Sequence, residues 1–236
     1  MLISTRYGPI GKARRRRENG MRDLEPELMK LVRAIVAGDE AAVSNRLATT
    51  PALAHARFER GATRQEADVY FIDAIKRYIV AGDSALHVAA AAYRLHIVQA
   101  LLASGADVRA KNRRGAEPLH AAAAGVPCSD HWNPAAQAET VKCLIEAGAD
   151  PNALDKSGVA PLHVAVRTRC AAGVKALLDS AADPQRRNKN GSTPMLLATR
   201  TTGRGGSSSS EAKAQQREIV HLLSARLGDR GRPKRY

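Results

Sequence analysis

A motif that recurs four times constrains what this chain can fold into more than any other feature of its sequence. Each copy runs from a glycine to an apolar residue four positions later, and the glycines are Gly82, Gly115, Gly158 and Gly191. Their intervals are 33, 43 and 33 residues. A period of this length predicts a stack of similar units, because one unit cannot bury its own apolar face and needs neighbours to form a continuous core.

A second apolar element follows each copy of the motif. In the first copy it is Val98, Leu101 and Leu102, whose spacing places them on one stripe of a helix. Pro118 and its equivalents suit a helix start, because the first-turn N–H has no intrahelical partner. Only 3% of the residues are aromatic while 44% are hydrophobic, which favours helices over sheets. Each unit is therefore predicted to be a helix, a turn, a second helix and a loop.

The predicted helix starts resemble those of a known family. Residues 118–122 (Pro-Leu-His-Ala-Ala) and 161–165 (Pro-Leu-His-Val-Ala) are similar to the Thr-Pro-Leu-His-x-Ala signature of the ankyrin-repeat family, so the chain resembles bacterial ankyrin-repeat domain proteins. The resemblance implies an all-α fold, an ankyrin-repeat solenoid of about five helix-turn-helix repeats with three insertions. The signature threonine is replaced by Ser84, Glu117 and Ala160 in three repeats.

The repeat register divides the chain into a repeat domain with a basic tail at each end. The predicted segments are an N-terminal tail over 1–25, repeats over 26–58, 82–114, 115–157, 158–190 and 191–227, an insert over 59–81, and a C-terminal tail over 228–236. The first repeat keeps apolar residues at Leu31, Ala34, Val43 and Leu47 but lacks the Pro-Leu-His corner. This pattern is typical of a terminal repeat that caps the stack.

The first insertion carries apolar residues at helical spacing, namely Phe71, Ile75, Tyr78 and Ile79. We predict an extra amphipathic helix that packs on the array, because isolated exposed apolar stripes are uncommon on soluble proteins. The alternative is that a bound partner covers this face.

The later insertions have other compositions. The second contains Trp132, which either pins the loop to the body or serves as a binding hot spot. Cys128 and His131 have a metal-like separation, but no second pair of ligands follows, so we predict no metal site. The third, residues 202–211, is a Gly/Ser linker that lacks the lysine of a phosphate-binding loop, and a helix is expected to start near Glu211. We predict no cofactor.

Three histidines, His87, His120 and His163, recur at one position of their repeats, and Leu196 replaces the histidine in the last repeat. Residues that recur with the repeat lie in a row and share one local role. The resemblance implies that each histidine hydrogen-bonds its helix start to an adjacent loop. No serine, cysteine or carboxylate recurs with them to form an acid–base pair, so we predict no catalytic residue and no enzyme activity.

The loop tips are the predicted binding surface, because ankyrin-repeat proteins bind partners along their tips and concave helices. The tips at 108–114 and 184–190 are strongly basic, whereas the tip at 150–156 is nearly neutral. Guanidinium groups suit contacts with carboxylates, so we predict a protein–protein interaction module (adaptor, scaffold or inhibitor) with an acidic partner. The alternative is that these charges only solvate the loops. The predicted partner-binding residues are Arg109, Lys111, Arg113, Arg114, Trp132, Arg186, Arg187 and Lys189.

The formal charge of +14 leaves a second class of partner open. The run Arg14–Arg17 and the basic tips suit a nucleic-acid-binding accessory protein, although scarce aromatics give few platforms for stacked bases. The three cysteines have no framework spacing, and the N-terminus lacks the apolar run of a secretory signal. The longest nearly apolar stretch, Ala85 to Tyr93, is too short for a membrane span. We predict a cytoplasmic protein without a membrane partner or a small-molecule substrate.

Overall fold

A computed structural model describes residues 24–125, 132–200 and 210–229 of the chain. Within these ranges the helices follow one another in five pairs. They are α1 (Glu25–Ala37), α2 (Glu40–Thr49), α3 (Ala85–Ala91), α4 (Leu95–Ala103), α5 (Pro118–Ala123), α6 (Pro134–Glu146), α7 (Pro161–Arg167), α8 (Ala171–Asp179), α9 (Pro194–Thr199) and α10 (Ser210–Asp229). The first helix of each pair after α1 is short, and it follows the motif glycine of its repeat.

The helices of successive pairs pack in two layers. The first helices contact each other in the order α1, α3, α5, α7 and α9, and the second helices in the order α2, α4, α6, α8 and α10. The core between them is formed mostly by leucine, valine, isoleucine and alanine, and it is continuous through all five pairs. The motif residues Leu86, Leu119 and Leu162 are at most 1% exposed. The predicted all-α repeat solenoid is confirmed.

Proline forms the first turn of three of the first helices. Pro118, Pro161 and Pro194 are the first residues of α5, α7 and α9, and the residue before each has an extended backbone. Proline fits because its fixed φ suits the helix and its missing N–H had no partner there. All three predicted helix starts are therefore confirmed.

The turn before α3 requires a glycine. Gly82 has a φ of 86°, which lies in the left-handed region, and a Cβ added to it would stand 2.8 Å from Asn112 Cα. The loops of successive repeats therefore approach each other more closely than a side chain at this position would allow.

The first helix pair has the apolar pattern predicted for it. Leu31, Val43 and Leu47 are buried, and Ala34 is partly buried against the core. Asp39 caps α2 by accepting a hydrogen bond from a first-turn backbone N–H at 2.9 Å. This pair contacts only one neighbouring pair within the described residues, which is the position of a terminal repeat.

The first insertion contains a β-hairpin, so the predicted amphipathic helix is wrong. Strand β1 (Phe71–Ile72) pairs antiparallel with strand β2 (Arg77–Tyr78), and a turn with 3-10 geometry (Asp73–Ile75) lies between them. Phe71 stands opposite Tyr78, and their ring centroids are 4.7 Å apart. The two apolar residues thus meet across the strands instead of lining one helical face.

The local sequence explains why a hairpin forms. Residues on both sides of the turn are mostly aromatic or β-branched, and these prefer an extended backbone. Lys76 closes the turn with a φ of 47°, which a continuing helix does not contain. Ile79 is buried, and its N–H donates to Tyr70 O at 2.8 Å, whereas Tyr78 is 48% exposed and Ile75 is half-buried. The insertion therefore packs on the array, but not through a helical stripe.

Parts of the other insertions lie outside the described residues. Residues 126–131, which include Cys128 and His131, belong to this part, as do residues 201–209. Helix α10 begins at Ser210, next to the position where the sequence predicts a helix start.

Candidate functional site

Three of the first helices are each held by one histidine. In His87, His120 and His163, Nδ1 accepts a hydrogen bond from the backbone N–H three residues earlier, at 3.1, 3.1 and 3.2 Å. Nε2 therefore carries the proton and donates to a carbonyl in the loop of the next repeat. The acceptors are Ala116 O at 3.1 Å, Val159 O at 3.0 Å and Ser192 O at 3.2 Å. The predicted tie between a helix start and an adjacent loop is confirmed.

Burial keeps these three histidines uncharged. Their side chains are buried, and desolvation lowers the pKa of His87 from 6.5 to about 4. Desolvation also lowers the pKa of His120 and His163 below the ordinary histidine value. A neutral imidazole that accepts through one nitrogen and donates through the other fixes each loop relative to its helix.

The loop tips are joined to each other by main-chain hydrogen bonds. Arg113, Lys156 and Lys189 are equivalent residues, because each stands two positions before its motif glycine. The backbone N–H of each donates to a carbonyl of the preceding tip. The bonds run from Arg113 N to Ala81 O at 2.7 Å, from Lys156 N to Arg114 O at 2.9 Å, and from Lys189 N to Ser157 O at 3.1 Å. The tips therefore lie side by side in chain order.

Two of the predicted partner-binding arginines hold backbone carbonyls. Arg109 Nε donates to Gly148 O at 2.7 Å, and Arg187 Nη1 donates to Gly191 O at 3.0 Å. Each contact uses one nitrogen of a guanidinium that has five N–H donors. The other donors of these exposed side chains remain available to a ligand.

Two further predicted cations stand near acids. Lys111 Nζ lies 3.7 Å from Glu117 Oε1, and Arg186 Nε lies 3.8 Å from an Asp183 carboxylate oxygen. Lys111 is exposed and Arg186 is partly buried. Part of their charge is balanced within the protein, so they contribute less to the field outside it.

Four cations of the loop tips have side chains without a hydrogen bond or ion pair among the described residues. Three of them, Arg113, Arg114 and Lys189, are predicted binding residues, and all three are exposed. The fourth, exposed Lys156, was missed because its tip is nearly neutral in net charge. Its register, two residues before Gly158, could have identified it. We call Arg113, Arg114, Lys156 and Lys189 the basic row.

A groove lies beside the basic row, along the face formed by the first helices. Its polar half is a hollow of about 310 Å³ between the loop tips and the hairpin. The charged residues that line this half are Lys76, Arg77, Arg114, Glu117, Asp155 and Arg167. Lys76 Nζ lies 2.5 Å from Asp73 Oδ1, and Arg77 Nη2 lies 3.5 Å from Oδ2 of the buried Asp83. These two cations are therefore paired. Arg114 and Arg167 are exposed and unpaired among the described residues, which leaves this half of the groove positive.

The apolar half of the groove lies nearer the C-terminal ends of the first helices. It is a hollow of about 260 Å³ whose lining includes Tyr93, Trp132 and Ile75, and it shares Ala121 and Ala124 with the polar half. The first insertion supplies one wall and the second insertion supplies another. The two halves together form one continuous groove, which we call the first-helix groove.

Trp132 is held in place at the edge of the apolar half. Its indole N–H donates to Gln137 Oε1 at 3.0 Å, and Gln137 is completely buried. Gln137 Nε2 in turn donates to Ala122 O at 3.0 Å at the end of α5. Trp132 is therefore fixed to the body through a buried amide, and it also presents part of its ring to the groove.

Glu117 is an unusual occupant of the polar half. It replaces the signature threonine before Pro118, is only 4% exposed, and its Oε2 has no hydrogen-bond partner within the described part of the chain. Desolvation raises the pKa of this carboxyl, while Lys111 opposes the rise.

Other kinds of site can be checked over the same ranges. Among the described residues, no three His, Cys, Asp or Glu side chains are grouped closely enough to hold a metal ion. In that part of the chain, no helix combines the length and the apolar character that crossing a membrane requires. Cys143 and Cys170 are free thiols, and desolvation raises the pKa of both.

The stacked helix pairs and the row of bonded loop tips define a helical repeat protein. A model described as Ankyrin repeats (3 copies) matches residues 133–228, and one described as Ankyrin repeat matches residues 81–113. Together they cover more than half of the sequence, and the chain belongs to the ankyrin-repeat family. Ankyrin repeats are generally protein–protein interaction modules, and proteins that contain them are typically not enzymes. No curated protein matches the chain.

Proposed function

We propose that this protein is an adaptor, scaffold or inhibitor that binds an acidic segment of a partner protein along the first-helix groove. The observation that supports the proposal most directly is the basic row, whose four cations are exposed and unpaired among the described residues, lie on neighbouring loop tips, and include Arg114 in the lining of the groove. A partner segment with Asp or Glu residues spaced like the tips would meet one cation at each repeat.

The two halves of the groove would contribute differently to binding. Exposed charges mainly steer encounter and set orientation, whereas affinity comes from apolar anchors that fill a hollow. The apolar half beside Trp132 and Tyr93 has room for one bulky aliphatic or aromatic side chain. The partner segment is therefore expected to carry acids on one side of such an anchor residue.

The proposed binding surface also includes the tip cations that contact carbonyls or acids within the protein. Arg109, Lys111, Arg186 and Arg187 flank the basic row on the same tips, and their contacts leave most of their donors unused. Their contribution is expected to be smaller than that of the basic row.

The cytoplasm is the proposed location of this interaction. Cys143 and Cys170 form no disulfide within the described residues, and unpaired thiols of this kind are usual in proteins of a reducing compartment.

The proposal is tested by comparing two charge-reversal variants that change the net charge by the same amount. The wild-type full chain and the variant Arg113→Glu/Lys156→Glu/Lys189→Glu, which we call the tip variant, are each used to select peptides from a random display library. The affinity of each protein for the selected peptides is then measured. The matched control is Lys142→Glu/Lys213→Glu/Arg217→Glu, which changes three exposed cations on the second helices α6 and α10. We expect the selection to yield acidic peptides that contain one bulky apolar residue. The wild type and the control should bind these peptides equally well, whereas the affinity of the tip variant should be lower by about tenfold or more.

One further variant and two possible outcomes separate the parts of the proposal. Ala91→Leu places a larger side chain in the apolar half without changing charge, and it should weaken peptides that contain the anchor residue. Equal loss of binding by the tip variant and its control would show that net charge, not the basic row, is responsible. Selection of peptides without acids would refute the acidic partner.

The nucleic-acid alternative is measured in parallel with single-stranded RNA. The run Arg14–Arg17 lies outside the described residues, so a variant that lacks residues 1–25 is compared with the tip variant. RNA binding that survives removal of the tail but is lost in the tip variant, with no acidic peptide selected, would favour this alternative.

A further inference from the structure

A narrow pocket with an unusual concentration of arginine lies at the edge opposite the loop tips, where α7 ends. It is bounded by the end of α7, by α9 and by α10, and its apolar wall includes Leu197 and Ile219. Its polar residues are Arg167, Arg169, Arg200 and Gln216. No carboxylate belongs to its lining within the described residues.

Arg169 is the buried member of this group. It is 6% exposed, and its Nη1 is enclosed without a hydrogen-bond partner in the described part of the chain. No salt bridge compensates its charge among the described residues. A buried arginine normally has an acid or carbonyl partner, because enclosing an unpaired charge is unfavourable. One nitrogen of this guanidinium is therefore enclosed and unsatisfied among the described residues, and the side chain lines the pocket.

The backbone at Arg169 is also strained. Its φ is 60°, in the left-handed region that favours glycine. The same turn of the first repeat has Gly38 at this position, with a φ of 75°, and the second repeat has Tyr93, with a φ of 54°. Tyr93 lines the apolar half of the first-helix groove, so the other non-glycine residue at this position also faces a hollow. Strain of this kind persists where the side chain has a role that a glycine cannot fill.

The surroundings of Arg169 are arranged for a small group with exposed oxygens. Arg167 and Arg200 are exposed at the mouth, and neither side chain has a hydrogen bond or ion pair among the described residues. Gln216 is held in place because its Nε2 donates to Ala198 O at 2.7 Å. The free space is about 10 Å³, which admits roughly one water-sized atom group beside the guanidinium.

The sequence that follows the pocket does not supply a counter-ion. Residues 201–209 read Thr-Thr-Gly-Arg-Gly-Gly-Ser-Ser-Ser and contain no Asp or Glu. Two acids of α10, Glu211 and Glu218, lie near the lining residues in sequence, but both are exposed, and Glu211 accepts a hydrogen bond from Gln215 Nε2 at 3.0 Å. An anion at Arg169 must therefore come from outside this part of the chain.

We propose that Arg167, Arg169 and Arg200 form a binding site for a phosphoryl group. One phosphoryl oxygen enters the pocket and accepts hydrogen bonds from the Arg169 guanidinium, while Arg167 and Arg200 bind the remaining oxygens at the mouth. Three cations match a doubly charged phosphoryl group better than a singly charged carboxylate, and guanidinium forks bind such oxygens in pairs. The site shares Arg167 with the polar half of the first-helix groove, but Arg169 is not part of the groove's lining, and the proposal does not depend on the function proposed for the groove.

The test uses inorganic phosphate as the probe and the full chain as the protein. Dissociation constants are measured by isothermal titration at constant ionic strength, with sodium acetate titrated in the same way. Arg169→Gly removes the guanidinium and relieves the positive φ, so it should fold at least as well as the wild type. We expect its affinity for phosphate to fall by at least about tenfold. The control Arg33→Gln, which removes an exposed arginine of α1 that is unpaired among the described residues, should bind phosphate like the wild type.

Three results would overturn the proposal. One is phosphate binding that is the same in the wild type and in Arg169→Gly. Another is acetate binding as tight as phosphate binding, which would assign the site to carboxylates. The third combines unchanged phosphate affinity with a marked loss of stability in Arg169→Gly, measured by thermal unfolding without phosphate. This pair of results would make Arg169 a structural residue. An Arg169→Lys variant that keeps the charge and binds phosphate with intermediate affinity would support the fork geometry.

Discussion

The buried histidine ties make the stability of the array depend on pH, and His87 is the clearest case. Its pKa is lowered from 6.5 to about 4 because burial disfavours the imidazolium. In the unfolded chain the same imidazole takes up a proton near pH 6.5. Acidification therefore favours the unfolded state, starting as the pH falls below 6.5, and the effect is complete only below pH 4.

The two pKa values give the size of the effect. At pH 5 the unfolded imidazole is almost fully protonated and the folded one is mostly neutral, which corresponds to a loss of about 2 kcal/mol relative to pH 8. Below pH 4 the full difference is on the order of 3 kcal/mol. His120 and His163 act in the same direction, since burial also lowers their pKa. Glu117 acts in the opposite direction, because its raised pKa lets the folded state take up a proton first.

The His87 contribution is isolated by comparing variants at two pH values. Urea unfolding at pH 8 and pH 5 gives the free energy of unfolding of the wild type, of His87→Leu and of His96→Gln, where His96 is exposed. Leucine is the chosen replacement because Leu196 already occupies the equivalent position of the last repeat. His87→Leu should be less stable at pH 8, since it leaves Ala116 O without its donor. Its loss of stability between pH 8 and pH 5 should be smaller than that of the wild type by about 2 kcal/mol.

The other groups that titrate are present in both the wild type and His87→Leu, so the difference between these two proteins reports His87 alone. An equal loss of stability in the wild type and in His87→Leu would show that His87 is not held neutral by burial. A smaller loss in His96→Gln as well would assign the pH dependence to histidines in general.

Three further changes have defined outcomes. Glu117→Thr restores the signature residue and removes a buried carboxyl, so the free energy of unfolding at pH 7 should rise by about 1 kcal/mol in urea titrations, and a fall would contradict the account of Glu117. Gln137→Ala removes the acceptor of the only tryptophan, so the emission of Trp132 should shift to longer wavelength and stability should fall by about 2 kcal/mol; an unchanged spectrum would mean that Gln137 does not hold the ring. Gly82→Ala should cost more than Gly148→Ala in thermal unfolding, because both have positive φ but only Gly82 is crowded by the next loop, and equal costs would leave φ strain as the sole cause.

The repeat architecture could be predicted because equivalent residues recur at the same position of each repeat. Leu86, Leu119 and Leu162 all face one core, so each copy of the motif supports the assignment of the others. The prolines and histidines add local chemistry that has one simple place in such a unit, the helix start. Departures from the family signature at single positions, such as Glu117 in place of threonine, do not change the spacing of the repeats.

The hairpin could not be separated from a helix by spacing alone. Phe71 and Tyr78 are seven residues apart, which is two helical turns, yet the same separation places them opposite each other across a four-residue connection. Here the tertiary contact of Ile79 and the aromatic and β-branched neighbours decide the outcome, and both are weak signals in a short segment.

The proposed binding surface was only partly predictable for a different reason. Whether a cation is free depends on contacts between repeats, such as that of Arg109 with Gly148, which no local pattern encodes. Lys156 was recoverable from the register, but judging its tip by net charge concealed it. Arg169 resembles any solvated arginine in the sequence, and only its positive φ and its enclosed nitrogen distinguish it.

The main-chain bonds between neighbouring tips have a consequence for how this surface can change over time. Because Arg113, Lys156 and Lys189 are positioned by their own N–H groups, the distance from one side chain to the next is fixed by peptide geometry and is indifferent to what those side chains are. Substitutions at these three places can alter which partner is preferred while the interval between contacts stays constant. A proline there would do the reverse, since it would remove an N–H and loosen one interval whatever charge the neighbouring tips carry.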